Sequence, residues 1–170
     1  ADQGRLPMGQ LLRRWWLAGA LVAIFLGGAT ELGLAQWLPA YAEESLGFSA
    51  TLAGTGLLLF SVAMALGRMV AGAIGNRVNP YHIMVAGCGS SVVLFLLGAY
   101  WPHPGWALAA CIAAGFTGSC LWPTMLAVTA DRYLDGGASM FAALAALGNA
   151  GGIFMPWVVG WVGDISSLSH

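Results

Sequence analysis

Five stretches of this chain are long and apolar enough to cross a bilayer, and that restricts its folds more than any other feature. A spanning helix needs about 20 largely apolar residues. The windows run from about 15–41, 51–75, 82–100, 105–130 and 139–162. The first carries one charge, Glu31, and the second carries Arg68 near its end. The third has only His82 at its edge. Hydrophobic residues make up 59% of the 170 and charged ones 8%, where a soluble domain carries about a quarter charged. Such a chain in water would have to expose much of its apolar surface, so the expected fold is an all-α membrane bundle. A net charge of −1 offers no basic surface for a nucleic acid.

The connections are short, which predicts sequential helices side by side and antiparallel. They are Glu43–Gly47, Asn76–Pro80, the proline-bracketed Trp101–Gly105 and Asp131–Gly137. All six basic residues are arginines. Arg5, Arg13 and Arg14 precede the first window, Arg68 and Arg77 end the second, and Arg132 follows the fourth. With five spans these fall on one side, while the opposite side holds Glu43, Glu44, His103 and Asp164. The excess of Lys and Arg in cytoplasmic loops predicts a cytoplasmic N-terminus and an external C-terminus. The membrane expected is a bacterial inner membrane. The start is polar and lacks an initiator Met, so no signal peptide is expected and the chain is expected to begin within a longer protein.

Glu31 sits mid-window, where a carboxyl is costly and normally faces the bundle interior or a water-filled cavity. Such a group can carry a proton, or hold a cationic or hydroxyl-bearing ligand. Its other reading is a protonated carboxyl donating to a neighbouring helix. Near it follow Gln36, Trp37, Pro39 and Tyr41, with Trp37 and Tyr41 on one helix face. Pro39 is expected to kink or end the helix. The fourth window holds Thr117, Ser119, Trp122, Pro123 and Thr124, and the fifth holds Asn149 and Pro156. Asn149 reads equally as a ligand contact or a cross-helix tie. Trp15, Trp16, Trp101, Trp106, Trp157 and Trp161 lie near window ends, as interfacial anchors do; Trp122 lies deeper. Pro39, Pro123, Gly152 and Pro156 are hinge candidates, because interrupted helices line cavities or hinges. Small residues at four-residue spacing are Gly67, Ala71 and Gly75, then Ala114 and Gly118, then Gly148 and Gly152. General helix packing accounts for them. Cys88, Cys111 and Cys120 show no metal-like spacing and read as buried free thiols. No GxSxG, HExxH or phosphate-binding loop occurs, so no enzyme, cofactor or metal is indicated.

Four stretches in order carry a family resemblance. They are Glu31-Leu-Gly-Leu-Ala-Gln-Trp37-Leu-Pro-Ala-Tyr41, then Gly67-Arg68 with Gly72-Ala-Ile-Gly-Asn76-Arg77, then Trp122-Pro123-Thr124, then Gly148-Asn-Ala-Gly-Gly152-Ile-Phe-Met-Pro156 with Gly160 and Asp164. Together they resemble the C-terminal half of a major facilitator superfamily transporter, closest to the fucose/glucose–proton symporter-like sugar transporters. The family's loop pattern departs here: Asn76 stands for an Asp, Asn79 for a Gly and Pro80 for a basic residue. Asn79 is expected to keep a left-handed turn.

The resemblance implies alternating access, with two six-helix halves rocking about a midplane site. It implies a half-domain over 15–165, a cytoplasmic linker over 1–14 and a truncated external loop over 166–170. The partner N-terminal half and the sixth helix would lie outside the chain. Spans one, two, four and five would face the path, with span three peripheral. The solute or proton site would draw on Glu31, Gln36, Trp37, Tyr41, Ser119, Trp122 and Asn149. The cytoplasmic gate would draw on Arg68, Asn76, Arg77, Asp131 and Arg132, with an Arg68–Asp131 salt bridge as its latch. The expected activity is proton-coupled transport of a sugar or related small polar metabolite. The alternatives are a drug or metabolite exporter on the same scaffold and a membrane subunit that only packs against partners.

Overall fold

Residues 14–134 and 136–165 are described by a computed structural model. The linker arginines Arg5 and Arg13, the loop residue Asp135 and the terminal segment at 166–170 lie outside the described residues. Six α-helices follow in order: α1 (Trp15–Ala40), α2 (Ala50–Ile74), α3 (Pro80–Tyr100), α4 (Pro104–Gly118), α5 (Leu121–Arg132) and α6 (Gly137–Ile165). A π-helical turn, Tyr41–Ser45, extends α1. With α4 and α5 as one interrupted span, five spans are long and apolar enough to cross a membrane. No strand occurs among the described residues.

Local chemistry sets the helix ends. Ser49 caps α2 by accepting from the Leu52 amide at 3.4 Å. The Asn79 carboxamide oxygen caps α3 by accepting from the Tyr81 amide at 3.0 Å. Pro80 takes the first helical position, where a missing N–H costs nothing. The left-handed turn expected at Asn79 is therefore not formed; its φ and ψ are −56° and 125°. The following proline ring disfavours helical backbone at residue 79, and the extended form is what a cap uses. After the π-helical turn the chain reverses at Gly47, whose φ of 73° suits a residue without a side chain.

The prolines act at a distance of one turn. Pro123 lacks an N–H and its ring presses on the carbonyl four residues earlier, that of Ser119. The interruption between α4 and α5 accordingly falls at Ser119–Cys120. Pro39 does not end α1; the helix runs on and widens into the π-helical turn. Pro156 sits inside a continuous α6.

Sequential spans alternate in direction, but they are not all side by side. α4 lies between α2 and α3, and α6 packs chiefly on α1, which runs parallel to it. Glycine makes that seam possible. A side chain on Gly28 would strike the Gly148 carbonyl, and one on Gly151 would strike that of Phe25. In lipid, where no hydrophobic force draws helices together, such close approach supplies the packing. Gly67 does the same for α2 against α4, facing the Phe116 carbonyl and Ser119. Two buried clusters result. One joins Leu17, Ala20 and Ile24 of α1 to Met140 and Leu144 of α6. The other joins Leu38, Ala53, Phe60 and Leu108 at the opposite end.

Trp15, Trp101, Trp106, Trp157 and Trp161 are exposed, while Trp16 turns inward. Cys111 and Cys120 are buried, but Cys88 is exposed and borders a cavity.

Candidate functional site

The site begins with charges that the bilayer would penalise if left apart. Arg68 of α2 donates from Nη2 to Oε1 of Glu31 on α1. This is the only ion pair among the described residues. The Glu31 side chain is 8% exposed and that of Arg68 46%, so the acid is sunk in the bundle and the guanidinium faces outward. The expected Arg68–Asp131 bridge is not formed. α2 packs against α4 and α1, which brings Arg68 to Glu31. An unpaired buried carboxylate is also far costlier than an exposed one, and Asp131 is exposed.

Beside the pair lies a cavity of about 160 Å³, bordered by Thr30, Glu31, Phe60, Ser91, Phe95 and Ser119 among others. The second carboxylate oxygen, Oε2, is buried with no hydrogen-bond partner among the described residues. Ser91 and Thr117 share a hydrogen bond of 2.8 Å, and Ser119 donates to the Phe116 carbonyl at 2.8 Å. A larger cavity of about 400 Å³ adjoins it, bordered by Trp37, Tyr41, Phe95 and Met155. Both cavities share Thr30, Leu34 and Phe95. α3, expected to be peripheral, thus walls both, because Gly87, Ser91 and Gly98 are buried where it closes on α4.

The other solute-site candidates divide. Glu31 and Ser119 border the smaller cavity; Trp37 and Tyr41 border the larger. Yet the polar groups of Gln36, Trp37 and Tyr41 are already engaged. Gln36 Nε2 donates to the Gly152 carbonyl at 3.4 Å. Pro156 lacks the amide that would normally fill that carbonyl, so Gln36 repairs a gap in α6. Tyr41 donates to the Gly98 carbonyl at 2.6 Å. The amide four residues on would belong to Pro102, so Tyr41 repairs a gap at the end of α3. Trp37 Nε1 donates to the Pro156 carbonyl at 2.9 Å. These side chains tie helices together. Trp122 packs against the bare face of Gly148, where an added Cβ would come within 2.7 Å of its ring. Asn149 is exposed, and its amide bonds back to the Ala145 carbonyl at 2.9 Å.

Of the gate candidates, Arg68 is taken up by Glu31. Asn76 and Arg77 are exposed in the turn after α2, and Asp131 and Arg132 are exposed at the end of α5. Arg132 stacks over Trp16, 4.8 Å from the ring centroid. The hinge candidate Gly152 is buried under Leu32. Sequence reasoning placed Arg68 at the gate and missed its part in the site. The signal was present: one acid and one arginine stand inside neighbouring apolar windows, and each needs a counter-charge in lipid.

Five helical spans long and apolar enough to cross a membrane, with a half-buried ion pair against a cavity, define a multi-pass membrane protein. The family model described as the Major Facilitator Superfamily matches residues 2–156, and the chain belongs to that superfamily of transporters. It is 31% identical over 163 residues to the probable nitrate/nitrite transporter NarK2 of Mycobacterium tuberculosis, covering 92% of this chain and 40% of that protein. It is 23% identical over 156 residues to an uncharacterized MFS-type transporter of Yersinia pestis, covering 92% of this chain and 41% of that protein. The uncharacterized MFS-type transporter EfpA of M. tuberculosis is 30% identical over 83 residues, 49% of this chain and 16% of that protein. The chain thus spans about two fifths of the length of the first two relatives. No solved structure matches it significantly.

Proposed function

We propose that this chain is one half-domain of a secondary transporter that moves a small polar solute by alternating access, coupled to protons, with Glu31 and Arg68 at its centre. One observation carries the reading: a buried carboxylate that spends one oxygen on Arg68 and leaves the other without a partner beside a cavity. A free buried acceptor calls for a proton or for a donor on a ligand. A hydroxyl-bearing solute, a sugar or related metabolite, supplies such a donor. A proton on Glu31 would release Arg68, which is how an ion pair couples protonation to a change in helix contacts. The arginine-bearing ends of the spans point to the cytoplasm in this reading.

The test is uptake by the whole transporter in vesicles under an imposed pH gradient. Glu31→Gln is expected to abolish gradient-driven accumulation while leaving passive exchange of the solute. Unchanged accumulation with an unchanged pH profile would remove Glu31 from the coupling step.

A second reading of the solute is a small oxyanion. Arg68 is the accessible member of the pair, a guanidinium suits planar oxyanions, and the NarK2 relative is named for nitrate and nitrite. Competition separates the two. Nitrate blocking uptake in an Arg68-dependent way favours the anion; block by a neutral sugar with nitrate inert favours the metabolite. Accumulation of lipophilic cations outside, with neither solute bound, would favour an exporter. No flux of any solute would leave a packing subunit.

A further inference from the structure

The start of α1 and the end of α5 meet in a cluster that the transport reading does not use. The Trp16 and Tyr133 rings lie 5.6 Å apart at 56°. The Arg132 guanidinium sits 4.8 Å from the Trp16 centroid, and that of Arg14 sits 5.5 Å from the Tyr133 centroid. Stacking on a ring face holds a guanidinium in place and leaves its edge N–H groups free to donate. Among the described residues neither guanidinium has a carboxylate partner. Both border one open concavity of about 650 Å³, shared with Trp15, Trp16 and Tyr133. Among the described residues, two cations thus face one hollow with no carboxylate paired to either.

The surroundings indicate where the balancing anion comes from. Trp15, the first residue of the first span, is 83% exposed, and Leu134 beside Tyr133 is 87% exposed. Amphipathic rings at a span end sit at headgroup level, and clustered arginines at that level attract anionic lipids. The hollow is therefore lined by two cations and by the exposed ring of Trp15, which suits a headgroup phosphate whose acyl chains continue past Trp15. We propose that Arg14 and Arg132 form a binding site for the phosphate of an anionic phospholipid, clamping the ends of α1 and α5 at the membrane surface. The inference rests on the membrane-spanning fold and stands whether or not Glu31 couples protons.

The test titrates the purified whole transporter in detergent with phosphatidylglycerol or phosphatidylcholine and counts bound lipid by native mass spectrometry. Phosphatidylglycerol is expected to bind well below the concentration phosphatidylcholine requires. The Arg14→Gln/Arg132→Gln variant is expected to bind it roughly thirtyfold more weakly, while Arg77→Gln, elsewhere on the same rim, keeps full affinity. Should the double Gln variant fail to fold, the double Lys variant keeps the charge but loses the stacked fork, and a several-fold loss is expected. Equal binding of the two lipids, undiminished binding in the variants, or inorganic phosphate binding as tightly as phosphatidylglycerol would each overturn the proposal.

Discussion

α1 has two flanks built on opposite principles. Toward α6 it is closed: backbone meets backbone at Gly28 and Gly148, and at Phe25 and Gly151. Toward α2, α3 and α4 it is open: one cavity, one ion pair and one unpartnered carboxylate oxygen, with a second cavity that reaches round to Met155 and Val159 of α6. The closed flank gets its stability from contact distance and has no slack. The open flank adds to its buried apolar cluster a charge pair and hydrogen bonds, which can be rearranged without unfolding the helices. A carrier needs both, a rigid seam to move as a unit and an adjustable face to bind and release.

The sharpest way to break this contrast is to add bulk to the seam. Gly151→Leu forces a branched side chain against the Phe25 carbonyl and the Ala29 amide. Backbone there cannot swing aside as a side chain does, and overpacking costs 1–3 kcal/mol or occasionally more. A loss of about 3 kcal/mol or greater is expected, read as failure to recover folded protein or a large drop in thermal midpoint in detergent. The matched change on the open flank, Ser91→Leu, is expected to cost far less, because it can fill a cavity of about 160 Å³. Equal losses at both positions would end the distinction.

The open flank has its own weak point. Arg68→Ala strips Glu31 of its counter-charge while leaving the acid buried. Orphaning one member of a buried pair costs 3–5 kcal/mol; with Arg68 itself 46% exposed, about 2 kcal/mol is expected. Adding Glu31→Gln removes the stranded charge and is expected to restore most of the loss. A double variant as unstable as the single one would mean that Arg68 stabilises through packing of its stem alone.

Much of the closed flank was legible in the sequence. Gly148 and Gly152 stood out as small residues at helical spacing, and so did Gly67 on α2, and the structure puts each against a neighbouring helix. Spacing along one helix does not name the partner helix, so the α1–α6 pairing was not readable, and short loops suggested sequential neighbours instead. Glu31 was legible because a lone acid in an apolar run must have a reason. Arg68 reads as a rim charge because it lies near a window's end, yet its partner is the lone acid of the neighbouring window. Gln36, Trp37 and Tyr41 looked like ligand contacts because sequence shows a donor but not what it faces. Their acceptors are backbone carbonyls on other helices, two of them left open by Pro156 and Pro102 and lying 116 and 57 residues away in sequence. The shift of the α4–α5 interruption to Ser119–Cys120 was derivable, since a proline disturbs the carbonyl one turn before it.

Those repaired carbonyls give the finest measure of the two flanks, because the same device serves both. Gln36 closes a gap in α6 on the seam at 3.4 Å, and Tyr41 closes one at the end of α3 on the open side at 2.6 Å. Cross-helix hydrogen bonds in membranes average about 0.6 kcal/mol and reach about 1.7. Tyr41→Phe keeps the ring and deletes only the donor, so its cost isolates the bond, and about 1 kcal/mol is expected. Gln36→Leu removes a longer bond on a helix pair already fixed by glycine contacts, and less than about 0.5 kcal/mol is expected. Thermal unfolding of both variants reads the difference. A larger loss at Gln36 than at Tyr41 would show that the seam depends on its polar tie, and that backbone proximity alone does not hold α1 to α6.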